Sequence, residues 1–582
     1  MDQRLTRIEE QLARLRADVA HLEQRIASLE CRRESEETAA AGVVGEPADA
    51  ATPEERIDTA ASWVLRAVSL AGRSLLVFAG AYLLRALTDN GTLPAAAGVG
   101  LGLAYALGWL VAAARAREAM GAAFHGGTAT LVAFPLVIEA TLRFNLFTPS
   151  ESAVVLAVLT GVSGFAAWWT HQRPLAWMTA TASVVAGVAL AVRGDATGPF
   201  ALHFILLGIA ALWLGYDREW TMLRWPAALV ADVFVVGLTT RALNPELGQS
   251  PWMALGAQFV LLAGYLTSIA VRTIVRGRGV IPFEVVQTVA ALGVGLGGAI
   301  AVTGTLETGT VALGAASCLM GAATYAVAFL WVERRATGLK NFVFYTSLAL
   351  VLTVVGLHVL FDGAVLAASW TMLGVGTAIL GGRLSRMTLF SHAALYLVGA
   401  AGVSGLTNHA LRVLVGHTTD AIGWPPGMAV VVALAAGACA LVTIGDRPGV
   451  AGRLRQLPRL ALIVVFAFGL AAAGVDAIAW ALGFGTGTPR MGLLATDRTA
   501  VLSVLALLTA WTSRWPRLAI SGTLVYPVLI FTGLRLIVED LRHSAPSTLF
   551  VAFGFYGAAL IIAPRLKRER ALPLAARRVG GR

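Results

Sequence analysis

Charge is scarce in this chain. Asp, Glu, Lys and Arg make up 14% of its 582 residues, where a soluble protein carries about 25%. Cysteine is scarcer: Cys31, Cys318 and Cys439 are the three present. They form no CxxC pair and share no zinc-like spacing with histidine, so neither a disulfide framework nor a metal site is expected, and no cofactor is called for. An apolar core behind a basic cap is also missing from the first residues. No signal peptide is therefore expected, and the first true span is expected to act as its own insertion signal. Long polar stretches are missing from the apolar body. The longest loop on the expected outer side runs from about Thr407 to Trp424, too short for a folded domain. Any site must lie in the spans or at their mouths.

What is present in abundance is apolar. Hydrophobic residues reach 57% and the mean hydropathy is +0.72. Ser74 to Leu110 sets the pattern: two apolar helices around a Thr88-Asp89-Asn90-Gly91 turn, with Pro94 just beyond. Asn-Gly and Pro suit a turn because they tolerate or fix φ where a helix cannot continue. Each arm is near the length that crosses about 30 Å of hydrocarbon. Eighteen such segments are expected between residues 68 and 563. The fold class is all-α, a polytopic transmembrane helical bundle with an amino-terminal cytoplasmic coiled-coil helix. Its main partner is the lipid bilayer. The formal charge of +11 is assigned to inner-loop arginines rather than to nucleic acid.

The head divides into three pieces. Leu5, Ile8, Leu12, Leu15, Val19, Leu22, Ile26 and Leu29 alternate in steps of three and four, an unbroken heptad seam that assigns residues 1–33 to a coiled coil. Self-association, docking on another protein's helix, and folding back on its own chain all fit that seam. Residues 34–52, rich in Glu, Ala, Gly and Pro, read as a disordered tether. Thr52-Pro53-Glu54-Glu55 then opens an interfacial helix over 53–67. The array occupies 68–563, and residues 564–582 form a basic cytoplasmic tail.

Loop charge orients the array. With the amino terminus inside, the inner loops hold nineteen basic residues and the outer loops seven. That bias puts both termini in the cytoplasm, with the bacterial inner membrane as the location. Every expected outer loop carries an acid, among them Asp89, Glu151, Asp195, Asp497 and the pair Glu539-Asp540. Duplication of a two-helix unit and topology alone both account for this.

Two hairpins carry a resemblance. LLVFAGAYLLRALTDNGTLPAAAGVGLGLAYAL near the start and LRLIVEDLRHSAPSTLFVAFGFYGAALIIAPRLKR near the end are similar to the corresponding segments of a bacterial family of multi-pass membrane proteins catalogued as a domain of unknown function. The layout of coiled coil, tether and long helical array resembles that family across the whole chain. Its members often place a basic residue after the Pro of the first turn, where this chain has Ala97-Gly98. The resemblance implies no activity and no catalytic residues.

Four acids fall inside expected spans: Glu139, Asp232, Glu284 and Asp476. A carboxyl group there is costly in lipid and so faces other helices or a wet cavity. The four form the candidate intramembrane polar site, with Arg73, Arg535 and the histidines His125, His203, His358 and His392 as possible partners. A hydrogen-bonded structural role is the plainer alternative. GVGLGG at 293–298 is too apolar for a dinucleotide loop, and the 62 glycines read as helix packing. Three function classes follow. The first is a cell-envelope scaffold or assembly protein. The second is a transporter or channel, proton-coupled through the span acids. The third, a transferase on lipid-linked substrates with Asp89 as its acid, has no long outer loop to support it, so catalysis is not expected.

Overall fold

The structure is a computed structural model that describes residues 79–568, apart from 81–82, 89, 117–118, 307, 333–337, 416–422, 424, 444–455 and 483–490. The heptad seam, the tether, the interfacial helix, most of the tail, Arg73 and Asp89 lie outside the described residues. Among the described residues all regular structure is helical and there is no strand. Fifteen helices are long and apolar enough to cross a membrane, or sixteen if one bent pair counts as a span. Large apolar side chains such as Phe550, Met372, Val192 and Leu319 stand outward and exposed along these helices. A surface of that kind is suited to hydrocarbon and not to water.

The chain divides after Gly194 into two compact units. The first holds α1 (Ala95–Arg115), α2 (Ala119–Leu142), α3 (Pro149–Trp169) and α4 (Arg173–Arg193). Within it α1 packs on α2, and α4 packs on both α2 and α3. Thr148 caps α3 reciprocally: its backbone N–H donates to Glu151 Oε2 at 2.8 Å, and its hydroxyl accepts from the Glu151 N–H at 3.3 Å.

The second unit opens with α5 (Thr197–Asp217), α6 (Arg224–Leu243), α7 (Pro251–Val275) and α8 (Pro282–Leu306), a group in which α7 and α8 both pack on α6. Then come α9 (Thr310–Val332), α10 (Gly338–Leu360), α11 (Gly363–Arg383), α12 (Met387–Val403), α13 (Leu406–Val415) and α14 (Gly427–Ala440). The chain closes with α15 (Leu457–Ala481), α16 (Met491–Thr512), α17 (Pro516–His543) and α18 (Pro546–Arg568). Proline opens α3, α7, α8, α17 and α18, where its missing N–H costs no helical hydrogen bond.

Tight seams between neighbours rest on small residues. On α9 and α10, a Cβ placed on Gly356 would lie 2.8 Å from both the Cys318 nitrogen and the Gly314 carbonyl oxygen. Neither backbone atom can rotate away. Gly356→Ala is therefore expected to cost about 1–3 kcal/mol through overpacking. Gly376→Ala, with nothing within 4 Å of its Cβ, should cost nothing. Thermal unfolding of the two purified variants in detergent checks the pair.

Several segments of the array differ from the expected bounds. The segment 388–407 is not one straight span: α12 and α13 bend by 67° about Gly405, which sits at φ 79°. The stretch from Thr407, read as the start of the longest loop, is helical to Val415. The segment 425–444 is reduced to the 14-residue α14, about 21 Å long and short of the hydrocarbon thickness. Segments 497–512 and 518–537 extend to 491–512 and 516–543, and the helix at the start of the tail runs on to Arg568. Asp497, Arg498, Glu539 and Asp540, read as outer-loop residues, therefore lie inside helices and are buried.

Candidate functional site

Four charged or phenolic side chains meet at one end of the α5–α8 group because of where each sits on its helix. Tyr216 lies in the last turn of α5 and Arg224 is the first residue of α6. Arg272 belongs to a π-helical segment, Val271–Val275, that ends α7. Glu284 lies in the first turn of α8. An up-and-down run of helices brings these four ends together.

Glu284 is completely buried. It accepts from Tyr216 Oη at 2.6 Å, from Arg272 Nη1 at 3.0 and 3.1 Å, and from the Ile281 N–H at 2.9 Å. It is thus a saturated carboxylate in the first turn of its span. One turn on, Gln287 Nε2 donates to Asp232 Oδ1 at 3.1 Å and Oδ2 at 3.2 Å. Asp232 lies about 12 Å along α6 from Arg224. About two turns further on the same helix, Thr239 Oγ1 accepts from Gln258 Nε2 at 2.7 Å. Gly298 leaves room for that amide, since a Cβ there would lie 2.7 Å from Gln258 Nε2.

These pairs form a polar column inside the helix group. It is incompletely satisfied: Gln258 Oε1 and Tyr265 Oη are buried with no hydrogen-bond partner. Buried polar atoms of this kind call for an explanation, such as water or an ion in passage.

At the Glu284 end the column backs onto a cavity of 930 Å³ walled by Tyr216, Arg224, Arg272, Arg276, Arg278 and the acids Asp217 and Glu219. Tyr216 and Arg272 belong both to the wall and to the Glu284 cluster. The cavity is therefore one side chain away from Glu284. Among the described residues no three His, Cys, Asp or Glu side chains gather so as to hold a metal ion.

A second polar cluster joins α13, α15, α16 and α17. His409 Nε2 lies 2.8 Å from Asp476 Oδ2. Arg498 Nη1 donates to Glu539 Oε1 at 2.8 Å, Arg535 pairs with the other oxygen of Glu539, and Thr499 Oγ1 donates to Asp540 Oδ2 at 2.7 Å. Arg498 is 1% exposed. Both oxygens of Asp497 are buried with no hydrogen-bond partner. Glu539 and Asp540 end another π-helical segment, Leu536–Asp540. In the first unit, Glu139 pairs with Arg85 at 2.9 Å beside a cavity of 240 Å³.

Of the four span acids, the structure sets Asp232 against Gln287, one turn along α8 from Glu284, places Asp476 in the second cluster and puts Glu139 in the first unit. Arg535, expected beside one of these four, pairs with Glu539 instead. His392 lies 3.0 Å from Tyr325 Oη and ties α12 to α9. Tyr216, Arg272, Gln287, His409, Arg498 and Glu539 escape the sequence reading. Most are charges or polar groups near helix ends, which loop-charge counting assigns to solvent by default. GVGLGG lies inside α8 and overlaps the π-helical turn Leu292–Gly297, so it follows no strand.

Compared with known proteins, the chain matches no family model, no curated protein and no solved structure.

Proposed function

We propose that this protein is a bacterial inner-membrane transporter that moves a small solute along the α5–α8 group. In this reading both termini are cytoplasmic and the cavity opens to the cytoplasm, because its arginines belong to loops on the more basic side. One observation carries the reading. A cavity, a buried charge cluster and a mid-span carboxyl group follow one another along the α5–α8 group. A purely structural bundle has no need of that sequence of groups. Intramembrane acids that line a path are expensive and are retained where protons or ions pass. Asp232 is the proton carrier, and the Arg272–Glu284 pair separates it from the cavity.

The test uses protein reconstituted in liposomes loaded with a pH-sensitive dye. Inward gradients of phosphate, succinate, chloride and a neutral sugar are applied in turn. Wild type should change the internal pH with at least one solute, and Asp232→Asn should slow that change by about 100-fold while leaving the melting temperature unchanged. Silence with every solute, or full activity in Asp232→Asn, overturns the proposal.

The envelope-scaffold reading keeps one specific observation, the unbroken seam from Leu5 to Leu29. It predicts that the full-length protein self-associates through this helix and that charges placed at Leu12 and Leu15 make it monomeric by light scattering. The likeness to a bacterial family of multi-pass membrane proteins of unknown function fits either reading.

A further inference from the structure

We infer that the cavity walled by Arg224, Arg276 and Arg278 is a binding site for a multivalent oxyanion of the phosphate class. The inference rests on the transport reading only in using the same cavity. Arginines at inner helix ends are ordinary in membrane proteins and by themselves indicate only orientation. Three features go beyond orientation.

The first is burial without a partner. Arg224 is 8% exposed, and its Nε has no hydrogen-bond partner. A guanidinium taken out of water with an unmet donor is costly, and an anion against the guanidinium's remaining donors would offset that cost. The second is fixed orientation. Arg224 stacks over Phe283 at 4.8 Å, Arg272 over Tyr216 at 4.9 Å and Arg276 over Trp213 at 4.9 Å. Stacked guanidiniums give up little freedom on binding, and their planar forks match pairs of oxyanion oxygens.

The third is a braced wall. Gly277, at φ 62°, turns the chain after α7. Asn341 on α10 then holds the loop from both sides: its Nδ2 donates to the Arg278 carbonyl at 2.9 Å and its Oδ1 accepts from the Val280 N–H at 2.8 Å. Arg272 Nη1 also donates to the Gly279 carbonyl at 3.0 Å.

Charge sets the ligand class. Four arginines line the cavity against Asp217 and Glu219, and Arg272 is already paired with Glu284. Three guanidiniums remain for one ligand, more than a chloride or a single carboxylate can engage. A phosphate or pyrophosphate in water and the phosphate of an anionic lipid headgroup share the required chemistry.

The experiment separates the sources. Full-length protein in neutral phosphatidylcholine nanodiscs is titrated calorimetrically with pyrophosphate, with potassium chloride as control. In parallel, its melting temperature is measured in nanodiscs with and without phosphatidic acid. A soluble source gives saturable pyrophosphate binding. A lipid source gives a rise in melting temperature with phosphatidic acid and no pyrophosphate heat.

In either case Arg224→Gln should weaken the effect about tenfold or more. Arg278→Gln, on an exposed side chain that the fold does not need, should weaken it in the same direction. Binding of neither probe by wild type, or equal binding by both variants, overturns the inference. Asp232 is not in the cavity wall, so Asp232→Asn should keep binding within about twofold. Wild type that binds but moves no solute defeats the transport reading alone, and flux without binding defeats this one alone.

Discussion

Glu539→Gln is expected to destabilise the protein by about 3–5 kcal/mol. Glu539 receives Arg498 on one oxygen and Arg535 on the other, and all three side chains are buried. Removing its charge leaves two guanidiniums out of water. Asp540 offers partial relief: its Oδ2 already accepts from Thr499, while its Oδ1 has no hydrogen-bond partner. The attraction within a buried ion triad roughly offsets the cost of desolvating it, whereas stranding its cations leaves that cost uncompensated. The triple replacement Arg498→Met, Arg535→Met and Glu539→Leu should therefore recover most of the loss. Thermal unfolding in detergent reads both. A single variant within about 1 kcal/mol of wild type would mean that water or another group already screens the triad.

Glu284→Ala is the second large effect, again about 3–5 kcal/mol. The substitution removes the counter-charge of Arg272 and the acceptor of Tyr216 Oη and the Ile281 N–H. Each unmet donor in a buried setting costs about 1–3 kcal/mol. Glu284→Gln retains one acceptor oxygen and should lose less. Combining Glu284→Ala with Arg272→Met should cost less than the sum of the singles, with a coupling of about 0.5–3 kcal/mol in a double-mutant cycle. Strict additivity would show that the pair acts independently and that Arg272 is held by its stacking on Tyr216.

Legibility followed the kind of force involved. Asp232 stood out in LVADVFVVGL because a charge inside an apolar run is costly wherever its helix goes. Glu284 looked similar, yet its saturation by Arg272 depends on where α7 ends. His409 was hidden by a bend: with Gly405 turning the chain, residues after it look like a loop in hydropathy but form α13. Asp497 and Glu539 were hidden by helix ends. An acid beside an apolar run reads as outer-loop charge, and the π-helical turn that carries Glu539 inward leaves no mark in composition.

Length and hydropathy alone determined that this chain makes a series of apolar helices, since an apolar run of such length must satisfy its backbone hydrogen bonds internally wherever it lies in hydrocarbon. Loop charge gave those helices an expected direction. The tertiary structure alone decided which polar side chains meet. Gln287 reaches Asp232 from fifty-five residues away, and Arg498 reaches Glu539 from forty-one. Pairings at that separation depend on helix rotation and neighbour choice, which come from close packing of side chains between helices and not from any local pattern.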